Sequence, residues 1–309
     1  MKLLSYGDAD APCVGVLVPD EGAMAVHDVL LDGDPWRAGM RGLIEASDGN
    51  PLRLSTGRSA HGHVDDVRLL PPLVDPSKVI AAPVNYSDHQ AEMNESIRID
   101  GLGVFLKAPS SVIGNHGVVR LPYDDRRFDQ EGELALILGR RARHVPAANA
   151  WSYIFGYTCL LDITMRGGED RSTRKSFDTF TPMGPWLVTP DEVGDLDSLR
   201  LTCAVNDEQR QDASVGDLIW NVPALLAYAS SVMTLVPGDV ITTGTPAGVG
   251  PIRRGDTISV SITRIGTLSV SVDDVGARHS PTKGADRGPI PPPESTPVPI
   301  AISTTGVTR

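Results

Sequence analysis

Apolar positions along the chain fall in short runs of strand length, separated by clusters of Gly, Pro and Asp. In residues 1 to about 72, CVGVLV (13–18) and MAVHDVL (24–30) predict strands, and a helical spacing follows around Pro35 to Glu45. From Lys78 to about Val275, KVIAAPV, GELALILG, YIFGYTCLLDIT, GDVITTG and DTISVSIT read as strands, whereas VPALLAYASSVMTL (222–235) has the length and spacing of a helix. The pattern predicts a mainly β fold of the α+β class.

Proline marks the boundaries. LPPLVDPSK at 70–78 holds three prolines in nine residues, which favours extended backbone and predicts a linker. It divides a small β-rich N-terminal domain, 1–72, from a larger domain, 76–275. Residues 276–309 hold seven prolines in 34 residues and no aromatic residue, so burial cannot offset their ordering entropy and a disordered tail is expected.

Composition narrows the function. The 309 residues, 40% hydrophobic, suffice for one large domain with a full core plus an accessory. Acidic residues outnumber basic ones 39 to 28, a net charge of −11, which disfavours nucleic acid and anionic membrane as partners and favours a small-molecule enzyme. Cys13, Cys159 and Cys203 are too few and too scattered for a disulfide framework or a C-x-x-C metal site. The opening run MKLLSYGDADAPC meets Asp8 and Asp10 before it reaches signal-peptide length, and no later stretch approaches a membrane span. A soluble, cytoplasmic protein is expected.

Chemistry concentrates in a few places. In FDQEGELALILGR (128–140), Glu131 and Glu133 stand two apart at the start of a strand, so both carboxylates point to one face while Gly132 leaves the other open. They are either two solvated surface acids or a pair held together by a cation, and hard oxygen ligands select Mg²⁺, Mn²⁺ or Ca²⁺. Asp162 closes the apolar run YIFGYTCLLD, and a buried acid there needs either a structural partner such as Arg166 or a metal. In NYSDHQAEM (85–93) a helical turn would set His89 and Glu92 on one face at i, i+3, a pair able to take a proton from water near neutral pH. Lys175 precedes an aromatic, Pro-Gly-rich loop, TFTPMGPW, that could wall a pocket, and its ammonium suits either a substrate carboxylate or the acids above. TTGTPAGVG (242–250) is rich in small residues that let backbone amides approach an anion, although it lacks the Gly-Lys-Ser/Thr of a P-loop.

Taken in order, these pieces resemble the fumarylacetoacetate hydrolase family: N-Y-x-x-H-x-x-E (Asn85, Tyr86, His89, Glu92), FLK (105–107), EGELALILG (131–139), GYTCLLDITMR (156–166), KSFDTFTPMGPW (175–186), Asn206 to Gln211, and LVPGDVITTGTPAGVG (235–250). The resemblance spans about residues 76–275. It implies a mixed β-roll, a homodimer, and a divalent cation, Mg²⁺ or alternatively Mn²⁺ or Ca²⁺, held by Glu131, Glu133 and Asp162. It also implies a lid carrying the water-activating dyad His89 and Glu92, with Lys175 beside the metal, and Tyr86, Arg166, Gln211 and Thr245 as substrate-binding residues. The chain departs from the family after Arg166, where it reads GGEDRSTRKSF, and between Met93 and Val104. The activity implied is hydrolysis of a carbon–carbon bond in an acylpyruvate or related 1,3-diketo acid through a metal-stabilised enolate. The alternatives are isomerisation of a 2-hydroxymuconate-like diacid, decarboxylation of an oxaloacetate-type acid, or a non-catalytic binding role.

Overall fold

The strand Gly132–Leu138 is buried along its whole length because both of its faces are covered. Leu134, Leu136 and Leu138 point into the main core, and Ala135 and Ile137 point into a second core shared with Leu43, Ile44 and Phe155. That explains why the sequence here is a continuous apolar run and not an alternating one. Each fully buried leucine contributes about 1.5–3 kcal/mol.

The computed structural model describes residues 1–20, 22–285 and 287–288. Its largest sheet has twelve strands, seven of which run in the spatial order Lys2–Asp8, Thr181–Val188, Ile154–Leu161, Gly132–Leu138, Val240–Thr242, Val79–Ala81 and Phe105–Lys107. The pairing of Val240–Thr242 with Val79–Ala81 is parallel, and the other pairings along this run are antiparallel. A five-stranded sheet, centred on Thr257–Ile262, lies across the main core, with Val260, Ile262 and Leu268 packed in the same cluster as Leu134 and Leu136. A small third sheet joins Thr164–Met165, Phe128–Gln130 and Gly250–Pro251. The fold is a mainly β, mixed-sheet roll with short helices, and no barrel closes among the described residues. No helix among the described residues is long and apolar enough to cross a membrane.

The predicted strands form, and Val222–Val232 forms the predicted helix behind an Asn221 cap. The segment expected to be a Pro-Gly-rich loop is instead partly a strand, Thr181–Val188, set between Lys2–Asp8 and Ile154–Leu161. Pro185 is tolerated because it falls in the register shift between the pairs Tyr157↔Val188 and Cys159↔Gly184, where no ladder bond is required of it. Lys2–Asp8 joins the N-terminal strands Ala11–Asp20 and Ala23–Leu31 to the same sheet, and the proline-rich stretch lies against it, with Leu70 N donating to Ser5 O and Ser5 Oγ to Pro72 O.

Most of the expected tail lies outside the described residues. Its first part is hydrogen-bonded to the body: Arg278 N donates to Pro122 O, and Gly168 N donates to Gly284 O.

Candidate active site

Three sheet elements deliver the acids. Glu131 occupies the single position between the strands Phe128–Gln130 and Gly132–Leu138, Glu133 follows within the second, and Asp162 comes directly after Ile154–Leu161. The antiparallel pairing of Gly132 with Leu161 brings the start of one strand to the end of the other. All three side chains are buried, and their oxygens lie within 4.8 Å of one another.

Gly132 does not leave an open face, as its lack of a side chain suggested. A Cβ there would stand 3.0 Å from Cys203 Cβ and 3.1 Å from Val260 Cγ2, so glycine lets the five-stranded sheet close over the strand. Its N–H donates to Gln211 Oε1 at 2.8 Å.

Two lysines meet the acids. Lys175 Nζ donates to Glu131 Oε2 at 2.6 Å and to Asp162 Oδ2 at 2.5 Å. Lys107, fully buried, donates to Asp162 Oδ1, to Lys175 O at 2.6 Å and to Phe180 O at 3.1 Å. The sequence reading gave Lys107 no role beyond its place in FLK. Its signal was a lysine ending a strand that pairs with the buried Val79–Ala81. Arg166 does not pair with Asp162; its Nε donates to Asp129 Oδ2 at 2.7 Å, and its Nη2 lies 2.9 Å from Glu131 Oε1, close enough for an ion pair but not aligned as a hydrogen bond.

These charges act unequally. Burial opposes ionisation of Glu131, but Lys175 and Arg166, joined by His89 when its ring is protonated, outweigh it and hold this carboxyl well below its usual range. Glu133 is pushed up to about 8, first by burial and then by the charge of Asp162, against the pull of Lys175 and the Thr242 hydroxyl. Such an imbalance among hard oxygen donors is what a divalent cation would relieve, so the three residues fit one.

His89 and Glu92 meet on one helical turn, the short helix Ser87–Glu92, with His89 Nδ1 2.9 Å from Glu92 Oε2. In the neutral ring, a proton on Nδ1 suits that contact and Nε2 is then the acceptor. Glu92 Oε1 accepts in turn from Gly248 N at 2.8 Å. The small-residue loop therefore does present amides to anions, but the anions are the protein's own: Gly244 N donates to Glu133 Oε2 at 2.8 Å. Asn85, the first residue of the N-Y-x-x-H-x-x-E stretch, clamps the loop by donating to Trp220 O and Thr243 O and accepting from Trp220 N.

One cavity gathers His89, Lys175, the three acids, Arg166 and Thr245. Gln211 and Tyr86 are not in its wall. Gln211 is fully buried and donates to Thr245 Oγ1 at 2.7 Å and to Pro246 O at 2.8 Å, so it holds Thr245 in place. The Tyr86 hydroxyl is buried without a hydrogen-bond partner among the described residues. The buried thiols of Cys159 and Cys203 are both pushed up to about 12 by desolvation, which leaves them unreactive.

Comparison with known proteins places this geometry. Residues 78–273 match the family model described as fumarylacetoacetate (FAA) hydrolase C-terminal. The chain is 46% identical over 221 residues to a maleylpyruvate hydrolase of Aquipseudomonas alcaligenes, covering 68% of this chain and 77% of that protein. The crystal structure of a maleylpyruvate hydrolase from Sphingobium sp. SYK-6, in complex with manganese(II) and pyruvate, is similar at a TM-score of 0.71 and 35% identity, over 89% of this chain and 99% of that one. A 2-hydroxyhepta-2,4-diene-1,7-dioate isomerase from Mycobacterium marinum is similar at a TM-score of 0.73 and 32% identity, again over 89% and 99%.

Proposed function

The chain belongs to the fumarylacetoacetate hydrolase family, and we propose that within it this protein is a divalent-metal-dependent hydrolase that cleaves a carbon–carbon bond of an acylpyruvate or related 1,3-diketo acid. The observation that carries the reading is the meeting, in one cavity, of three buried carboxylates and His89, which Glu92 orients from outside the cavity wall.

Glu131, Glu133 and Asp162 would hold the cation, Mg²⁺ or Mn²⁺. Bound there, it supplies Lewis acidity, drawing electron density from the keto oxygens of the substrate and stabilising negative charge that develops on them. The protein's own residues do the rest. Glu92 keeps the His89 proton on Nδ1, so Nε2 can accept a proton from water. The water oxygen bonds to the acyl carbonyl carbon, and the bond from that carbon to the pyruvate methylene breaks. The methylene takes up the proton that His89 acquired, leaving a carboxylic acid and pyruvate. Lys175 adds positive field where charge develops, and Lys107 holds Asp162 from behind. Arg166 and Thr245 border the substrate, and Gln211 and Tyr86 support that wall.

Isomerisation or decarboxylation would use the same cation but no attacking water, and the presence of the dyad favours hydrolysis. The same proposal includes a homodimer in the cytoplasm, an accessory domain over 1–72, a catalytic domain over 76–275 and a tail over 276–309.

His89→Ala tests it. Hydrolysis of acetylpyruvate should fall about 10²- to 10⁴-fold, the usual contribution of a positioned general base, while oxaloacetate decarboxylation falls far less. Equal losses in both reactions would remove the water-activating role.

A further inference from the structure

The C-terminal segment runs beside the active-site loop and is tied to it. Arg278 forms a parallel bridge with Tyr123, and Ser280 N donates to Asp125 Oδ1 at 2.8 Å. Further on, Gly168 N donates to Gly284 O at 2.9 Å. The two stretches meet this closely because Gly284 has no side chain: a Cβ there would stand 2.3 Å from Glu169 Cδ. Both partners lie outside the family pattern. Residues 278–284 follow the matched span 78–273, and the loop 167–170 is where the chain departs from it.

Arg126 is the junction. Its side chain is fully buried, and the Glu169 carboxylate accepts from its Nη1 and its Nη2 at 2.8 Å each. Nη1 also donates to Ser280 Oγ at 3.1 Å and to Thr282 Oγ1 at 2.9 Å, and Nη2 donates to Arg166 O at 3.0 Å. The Thr282 hydroxyl donates to the same Glu169 carboxylate. One guanidinium thus joins the C-terminal segment, the loop and the backbone of a cavity residue. From the loop the contacts run on into the cavity. Glu169 O accepts from Arg174 Nε at 3.1 Å, Asp170 caps the short helix Arg171–Arg174 by accepting from Ser172 N at 2.8 Å, and Lys175 ends that helix. Lys175 Nζ then reaches Glu131 and Asp162.

We propose that residues 278–284 are a strap that places Lys175 in the active site, with Thr282, Arg126 and Glu169 as positioning residues that act on it through the helix Arg171–Arg174. The inference rests on the keto-acid reading of the cavity, in which Lys175 adds positive field where charge develops. A helix of one turn is not stable by itself, so the place of Lys175 is set by what holds the two ends of that turn. At the C-terminal end Lys107 donates to Lys175 O; at the N-terminal end the strap and Arg126 hold Glu169. A guanidinium that meets a carboxylate through two bonds fixes direction as well as distance.

The test uses the full chain carrying Gly284→Val or Thr282→Val. In the metal-free protein, hydrogen exchange of the amides of residues 168–176 should quicken about tenfold or more in Gly284→Val and less in Thr282→Val, while the strand Ile154–Leu161 exchanges as in the wild type. Acetylation of Lys175 by acetic anhydride, followed by mass spectrometry, should quicken in the same order. With Mn²⁺ bound, kcat for acetylpyruvate should fall about 10- to 100-fold in Gly284→Val with KM changed less than about threefold, because a displaced Lys175 forfeits an interaction made in the transition state. Thr282→Ser keeps the hydroxyl and should behave as the wild type. Thr282→Val keeps the test decisive if Gly284→Val fails to fold.

Exchange and Lys175 acetylation at wild-type rates in both variants would overturn the proposal. A loosened loop with wild-type kcat and Lys175 acetylation would do the same, as would exchange that quickens equally in Ile154–Leu161, since either result leaves the segment a structural role alone. If the wild type cleaves no diketo acid while exchange and Lys175 acetylation respond as expected, the proposed reaction falls and the strap stands.

Discussion

At the level of single residues, the three acids are not equivalent. Glu131 is matched by Lys175 and Arg166, whereas Glu133 faces only a hydroxyl and a backbone N–H. Glu131→Ala would leave two buried cations short of a partner and should destabilise the metal-free chain toward the lower end of the about 3–5 kcal/mol that breaking a buried pair costs, since Lys175 keeps Asp162. Glu133→Gln imitates the protonated acid that burial already favours. It should leave metal-free stability within about 1 kcal/mol of wild type near neutral pH while lowering cation affinity by about two orders of magnitude. Thermal melts with and without Mn²⁺ separate the two effects; a Glu133→Gln chain that binds Mn²⁺ as the wild type does would remove Glu133 from the ligand set.

Much of this residue-level chemistry was legible in advance. Glu131 and Glu133, two apart, the acid at the end of the Cys159 strand, and His89 all came to one cavity, and Glu92 meets His89 at i, i+3 as its spacing suggested. What could not be read was partner choice. Asp162 and Arg166 are four apart in sequence, yet the sheet turns them to different neighbours, and Lys107 reaches Asp162 from 55 residues away.

At the level of elements, a glycine loop and a short helix set the site. Gly248 has φ of +100°, and a Cβ there would lie 1.9 Å from Arg210 O. Gly248→Ala should therefore shift the loop, release Glu92 and lower kcat for hydrolysis, at a stability cost of about 1–3 kcal/mol. Full activity with a wild-type melt would mean that the Gly248–Glu92 bond does not position the dyad. The loop before Arg171 depends on Glu169, whose carboxyl the hydrogen bonds from Arg126 hold down at about 2. A depressed carboxylate adds stability that is present above its ordinary value and lost as pH falls toward 2. Glu169→Ala should cost about 1–3 kcal/mol at pH 7 and much less at pH 3, a difference measurable by urea unfolding at the two pH values.

Strand positions and the helix Val222–Val232 followed from the apolar pattern, although KVIAAPV and GDVITTG form strands of only three residues each. The strand Thr181–Val188 did not, because its two prolines and glycine carry the local signature of a turn and only the surrounding sheet overrides it.

For the whole molecule, the proposed reaction requires an acidic chain of net charge −11 to draw an anion into a cavity that already contains three carboxyl groups. Local positive charge from Lys175, Arg171, Arg174 and the bound cation has to outweigh the global field. Stability is coupled to that balance. In the metal-free chain Glu133 is raised from its ordinary 4.5 to about 8, so the stability it contributes is full below 4.5 and lost as pH rises toward 8. Glu131 is lowered, so its contribution is constant across that window. The melting temperature in chelator should accordingly fall between pH 5 and 8. Saturating Mn²⁺ should remove the fall and release a proton on binding, readable by calorimetry in buffers of different ionisation enthalpy; a metal-free melt flat across this range would contradict the assignment.

In the proposed reaction, three buried carboxylates hold a cation with which this chain splits a diketo acid into pyruvate. Its most direct test is pyruvate formed from acetylpyruvate by chelator-treated protein, followed enzymatically before and after Mn²⁺ is restored. The expected result is no pyruvate in chelator and one pyruvate per diketo acid consumed after Mn²⁺ returns. Undiminished pyruvate in chelator, or none from a chain shown to have bound Mn²⁺, would contradict the account.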